Sequence, residues 1–316
     1  MPDSRRSRRA RVAAAALAAG AESRLGRRAR VTAAALAASA LVLTAGCSSG
    51  GDPSSASPSA SKKPSPSPSP AWNRSPASLA AVGDSITRGF DACTVLADCP
   101  EVSWATGSDT GVDSLAVRLL GPAAPTHSWN YAKTGARMAD LPAQMGRAAA
   151  EHPGLVTVMT GANDACRDDV SAMTPVAVFR TEFEESLRTL RATSPKSQVY
   201  VASVPDLKRL WSTGRGSPLG KQIWKLGICQ SMLADADDLG ATASARRASV
   251  YDRVVAYNQV LADVCARDRA CRYDGGAVFA YDFTGTQLSR WDWFHPSRDG
   301  QARLADIAYR KVTSPR

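Results

Sequence analysis

The sequence predicts an α/β fold, a parallel sheet carrying helices on both faces. Three observations support this. From Leu79 onward, short apolar runs alternate with longer amphipathic segments, the pattern of a sheet built by crossover helices. The runs at 79–82 and 155–159 are almost wholly apolar, as in strands covered on both faces. A serine stands just beyond the first run, at the carboxyl edge where open α/β sheets bind ligands.

Leu79-Ala80-Ala81-Val82 reads as a short buried strand, followed by Gly83-Asp84-Ser85-Ile86, where the chain must turn. Gly83 lets the backbone bend tightly. Residues 111–120 read as a helix, 128–131 as a short strand and 138–151 as a helix. The strand 155–159 is bounded by Pro153-Gly154 and Gly161. A helix over 175–192 opens on proline and sets Phe179, Phe183, Leu187 and Leu190 on one face. Residues 198–203 form another strand, closed by Pro205, and 245–269 a long helix carrying Val254, Val255, Val260 and Leu261. The final helix spans 297–312. No internal repeat is visible, and residues 76–316 read as one domain. Residues 207–245 are the least patterned and read as an insertion over the active site. Together with 93–110 they are expected to shape the substrate pocket.

The N-terminal part is of another kind. Residues 1–26 are a basic lead-in. Arg27-Arg28-Ala29-Arg30 then precedes an uncharged, Ala- and Leu-rich stretch, 31–44, too short for an ordinary membrane span and suited to a signal peptide. It ends in Leu43-Thr44-Ala45-Gly46-Cys47. Small residues before a cysteine and a polar run after it resemble a bacterial lipoprotein signal, which implies cleavage before Cys47, lipidation there and a membrane-anchored, exported protein. Free secretion is the alternative. Residues 1–47 thus read as lead-in and signal, and 48–75 as a Ser/Pro-rich linker that cannot bury enough apolar surface to offset the entropy of ordering.

The formal charge of +10 belongs mostly to that leader. Nine arginines against Asp3 and Glu22 place +7 in residues 1–30; Lys62, Lys63 and Arg74 against Asp52 place +2 in residues 31–75; +1 remains for 76–316. A nearly neutral domain gives no electrostatic case for a nucleic-acid partner. Six cysteines follow Cys47, an even set that suggests disulfides in an exported protein. Their intervals favour Cys93–Cys99 and Cys265–Cys271, leaving Cys166–Cys229. No C-x-x-C pair occurs and the three histidines lack metal-ligand spacing, so neither metal nor cofactor is expected.

A serine is a nucleophile at neutral pH only with a general base and an oxyanion hole. The base is sought in Asp292-Trp293-Phe294-His295-Pro296. Asp292, three residues before His295, can accept a hydrogen bond from one ring nitrogen and fix the tautomer, leaving the other to face Ser85. His127 and His152 have no such company and read as surface residues. Gly161-Ala162-Asn163-Asp164 follows the buried strand at the same sheet edge. There Asn163 offers a side-chain donor and Asp164 can hold the loop. Gly135 follows the strand near 128–131 and offers a backbone N–H. The N–H of Ser85 is the third donor.

G-D-S-I at 83–86, G-A-N-D at 161–164 and D-W-F-H-P at 292–296 resemble, in order and spread, the SGNH (GDSL-type) hydrolase family, in particular its secreted actinobacterial esterase and lipase branch. The resemblance implies a flavodoxin-like, three-layer α/β/α fold. It maps the family's serine to Ser85, its glycine to Gly135, its asparagine to Asn163 and its histidine to His295. Some members of that branch let a backbone carbonyl do the work of Asp292. The implied activity is hydrolysis of carboxylic esters, small-molecule or lipid, by a monomer touching the membrane only through its anchor. The rivals are a carbohydrate O-acetyl esterase or acyltransferase of the cell envelope, using the same residues, and a catalytically inactive surface binding lipoprotein.

Overall fold

The computed structural model describes residues 71–315; the leader, the signal with Cys47 and most of the linker lie outside the described residues. Strands β1 (Leu79–Gly83), β2 (Ser128–Asn130), β3 (Leu155–Met159), β4 (Gln198–Val201) and β5 (Cys271–Tyr273) pair in parallel in the order β2-β1-β3-β4-β5. Every residue of β1, β3 and β4 is buried, which explains their near-continuous apolar sequences. The order is the flavodoxin-like one, and it reverses direction at β1, so the crevice at the carboxyl ends of β1 and β3 is the switch point where ligands bind in such sheets. Gly83 lies opposite Met159 in the register, so the turns after both strands emerge side by side.

Helices Leu141–Ala150, Val176–Thr193 and Ala241–Ala266 pack on one another in series, while Leu115–Leu120 packs on Arg298–Thr313. Right-handed crossovers in this strand order send the two groups to opposite faces. The first group is joined partly by Phe179 and Tyr257, stacked at 4.0 Å. Trp72, on the linker side of residue 76, is buried and donates its indole N–H to the Val312 carbonyl at 2.8 Å. Among the described residues no helix is long and apolar enough to cross a membrane.

The structure differs from the sequence-predicted elements in a few places. The helix expected from 111 starts at Leu115, because Asp109 accepts the N–H groups of Gly111 and Val112 in a turn and Ser114 caps the helix at Val117 N–H. The segment expected from 138 begins as a 3₁₀ turn, Met138–Asp140, before its α-helix. The long helix begins at Ala241, and β5 is a strand the sequence pattern did not predict. Residues 207–245 hold three short helices, Leu207–Gly214, Pro218–Trp224 and Gln230–Leu233, the first two capped by Asp206 and Ser217. Cys93 is bonded to Cys99, Cys166 to Cys229 and Cys265 to Cys271.

Candidate active site

At Gly83 φ is +149°, and a Cβ there would lie 2.1 Å from the Met159 carbonyl oxygen. Only glycine lets β1 end this close to β3. Two buried glutamines clamp the turn that follows. From helix Leu141–Ala150, Gln144 accepts the Gly83 N–H at 2.7 Å and donates to the Gly83 carbonyl at 3.0 Å. From helix Arg298–Thr313, Gln301 donates to the Ile86 carbonyl at 2.8 Å and accepts the Trp104 N–H at 2.9 Å. Within the turn, the Asp84 carboxyl accepts the Ile86 N–H at 3.0 Å. Ser85 is thereby fixed from both helical layers. The glutamines carry no sequence signal; each is a polar residue inside an amphipathic helix.

His295 comes from a tight loop over 288–296. Leu288 and Pro296 form an antiparallel bridge, Ser289 donates its N–H to the His295 carbonyl at 2.7 Å, and Trp293 donates to the Ser289 carbonyl at 2.8 Å. Trp293 is left-handed, with φ +52°, a costly conformation for a bulky residue unless its surroundings impose it. The segment 207–224 does so. Trp224 donates its indole N–H to the Asp292 carbonyl at 2.6 Å, and a Cβ on Gly214 would lie 2.4 Å from the Trp293 carbonyl oxygen. The least patterned stretch of the sequence is therefore the support of the histidine loop.

The relay spans 210 residues of chain. Ser85 Oγ lies 2.9 Å from His295 Nε2, and His295 Nδ1 lies 2.5 Å from Asp292 Oδ2. Asp292 Oδ1 accepts the N–H groups of Phe294 at 2.9 Å and His295 at 3.0 Å. Asp292 is wholly buried. Burial alone would raise its pKa, but the facing imidazole and these N–H groups hold it below the usual carboxylate range. Nδ1–H then donates to Asp292, and Nε2 accepts from Ser85. Burial favours neutral His295, yet the Asp292 charge and hydrogen bond outweigh it and raise its pKa above 6.5.

Asn163 stands on the short helical turn Ala162–Ala165 after β3. Its amide donates to the Ala136 carbonyl at 2.9 Å, and its second N–H meets no acceptor among the described residues. Asp164 accepts the Thr174 hydroxyl at 2.7 Å and the Met138 N–H at 2.9 Å, tying the same turn to 136–138; burial raises its pKa to about 6. Gly135 sits beside them in a left-handed turn, φ +81°. Among the described residues, the backbone N–H groups of Ser85 and Gly135 have no hydrogen-bond partner. Ser85 and Asn163 line one cleft with His295, whereas Gly135 adjoins it through Ala136 without lining it.

That cleft has a volume of about 230 Å³, and Ile86, Pro205, Leu207, Leu210, Ile228 and Phe294 make much of its wall. The Cys166–Cys229 bond lines it as well. Residues 207–229 thus contribute as expected, but the expectation for 93–110 does not hold: that loop supplies none of this lining and turns its Cys93 to a separate surface cleft with Trp291 and Trp293. A larger cleft of about 550 Å³ along 218–238 contains none of the relay residues. His127 and His152 are exposed. Among the described residues two side-chain groups have metal-ligand spacing. In one, Cys93 and Cys99 are already joined; in the other, both ring nitrogens of His295 are engaged by Asp292 and Ser85.

The family model for GDSL-like lipases and acylhydrolases matches residues 81–303. The chain belongs to the GDSL-like lipase/acylhydrolase family. It is accordingly an ester hydrolase, and the matched range contains every relay residue. No curated protein matches the sequence. Among solved structures, the chain is similar to a catalytic mutant of an acetylxylan esterase from Geobacillus stearothermophilus (17% identity, 74% of this chain and 93% of that one, TM-score 0.45). It is also similar to a phospholipase A1 from Streptomyces albidoflavus NA297 (18% identity, 76% and 100%, TM-score 0.44) and to a family 3 carbohydrate esterase from Clostridium thermocellum (14% identity, 74% and 94%, TM-score 0.42).

Two outcomes follow for this GDSL-like hydrolase. Only neutral His295 can accept a proton from Ser85, so kcat/KM rises with pH, and its inflection lies above 6.5 because the imidazole is held protonated by Asp292. A pH–rate profile of the free enzyme checks this; an inflection below 6.5 contradicts it. Cys166 ends the turn that carries Asn163, so reduction of Cys166–Cys229 loosens that turn. On the chain-entropy account this bond contributes about 4 kcal/mol and each short one about 2 kcal/mol. Reduction is expected to lower Tm and to slow catalysis before global unfolding. Non-reducing peptide mapping checks the pairing, and undiminished activity of the fully reduced protein removes the functional claim.

Proposed function

We propose that the chain is an exported serine esterase, anchored at the cell surface through Cys47, which hydrolyses short- to medium-chain carboxylic esters. The observation that carries this reading is the Ser85–His295–Asp292 relay opening on a cleft at the sheet's switch point. Ser85 Oγ attacks the ester carbonyl carbon while His295 Nε2 takes its proton, and Asp292 orients and stabilises the imidazolium. The N–H groups of Ser85 and Gly135 and the remaining N–H of Asn163 receive the oxyanion. His295 then protonates the leaving alcohol. Water, deprotonated by His295 in turn, releases the acid from the acyl-enzyme. Leu207, Leu210, Ile228 and Phe294 on the wall suit an acyl chain, and a volume below the roughly 300–1,000 Å³ of drug-sized ligand pockets favours a short one. The leader, the Ser/Pro linker and the even cysteine set support export, and the linker serves as spacer between membrane and enzyme.

A chain-length series of p-nitrophenyl esters tests the activity. kcat/KM is expected to peak at short to medium acyl groups. Ser85→Ala and His295→Ala should each lower kcat by roughly 10⁴- to 10⁶-fold, and the double variant little further, because relay members act as a unit. Strict preference for acetate would favour the carbohydrate O-acetyl esterase, and no hydrolysis at all the binding lipoprotein. Labelling with a fatty-acid probe in a bacterial host tests the anchor: label is expected on the wild type and not on Cys47→Ala, while an unlabelled, freely released wild type indicates ordinary secretion.

A further inference from the structure

Asp91 lies in the loop that follows the Ser85 turn, and no motif of the sequence includes it. It is 1% exposed and left-handed, with φ +58°. One carboxyl oxygen accepts the Leu96 N–H, and its backbone carbonyl accepts the Ser289 hydroxyl at 2.7 Å, which docks this loop on the histidine loop. Polar atoms of Asp91, Asp292 and His295 all lie within 4.8 Å of one another. The second Asp91 oxygen, Oδ2, is buried and meets no hydrogen-bond donor among the described residues. Two carboxyl groups this close and this buried do not both ionise readily. Asp292 has three N–H donors for its charge, whereas the Asp91 carboxyl has one, so the shared proton belongs on Asp91.

We propose that Asp91 is a positioning residue whose protonated carboxyl donates an O–H hydrogen bond to Asp292 and holds that carboxylate against His295, extending the relay to Ser85–His295–Asp292–Asp91. The proposal rests on the reading of Ser85, His295 and Asp292 as the catalytic relay. It gives the orphaned Asp91 oxygen a partner and leaves one buried negative charge instead of two. Burial, and then the Asp292 charge, raise the Asp91 pKa to about 6 even against the lowering effects of the Leu96 N–H and of a protonated His295, and it rises further once His295 is neutral. The proton is therefore held most firmly while His295 is neutral and poised to accept from Ser85. The ionisable groups facing His295 are Asp292, Asp91 and Asp84; Asp84, raised by burial to about 7, stays in place in the variants below.

The test uses Asp91→Gly and Asp91→Asn with a p-nitrophenyl ester, beside Ser85→Ala. Glycine suits the left-handed backbone and removes the carboxyl; kcat should fall on the order of ten- to a hundredfold, as for loss of a hydrogen bond to a charged group, with KM little changed. Asparagine also tolerates this backbone. Its amide can donate to Asp292 and accept from Leu96, so it should restore most of the lost kcat. It is neutral, like the protonated carboxyl it replaces, so the pH–rate inflection should stay at the wild-type position. A purely structural residue would lower Tm without lowering kcat of the folded enzyme. The proposal is overturned if the inflection of Asp91→Asn falls below the wild-type position, which would show an ionised Asp91, or if folded Asp91→Gly keeps kcat within about twofold of wild type. If Asp91→Gly does not fold, the Asp91→Asn inflection decides alone. An inactive Ser85→Ala shows that the relay itself stands even where Asp91 fails, whereas an active one removes both readings.

Discussion

A carboxylate in a protein interior keeps its charge only where donors reach it, and Asp292 meets that condition within five residues of its own loop. Phe294 N–H, His295 N–H and the His295 ring converge on it. The same three bonds curl the chain over 292–295 and aim the imidazole at Ser85. The charge that orients the base also folds the loop that presents it.

Holding that loop against the sheet is a separate task, and residues far apart in the chain perform it. Trp224 takes the Asp292 carbonyl, Gly214 leaves room for the Trp293 backbone, and Ser289 reaches the Asp91 carbonyl. On the nucleophile's side, Gln144 and Gln301 satisfy backbone groups at Gly83 and Ile86 from opposite helical layers. Buried backbone groups left unpaired there would cost about 1–3 kcal/mol each. The glutamines therefore give the Ser85 turn one favoured geometry. Asn163 and Asp164 do the same for the adjoining turn by binding 136–138.

The short helices of 207–245 show how structure and specificity coincide. With the loop that carries Ile228, they wall the cleft through Leu207 and Leu210 and brace the histidine loop, while Cys166–Cys229 links the Ile228 loop to the Asn163 turn. A change of substrate preference in this segment would thus act on the relay's support as well as on the pocket.

The sequence by itself determined the α/β class, because doubly covered strands such as β1 and β3 must be apolar throughout and so announce themselves. It also determined the relay candidates Ser85, Asp292 and His295, since each belongs to a short motif whose residue types the chemistry requires. β5 escaped notice because Cys271-Arg272-Tyr273 is an edge strand without an apolar run. The helices of 207–245 escaped because elements of four to eight residues carry too few turns for a period to emerge. Gln144, Gln301 and Asp91 are decided only by tertiary structure. Their significance lies in which buried groups they meet across 61, 215 and about 200 residues of chain, a relation that local pattern does not encode.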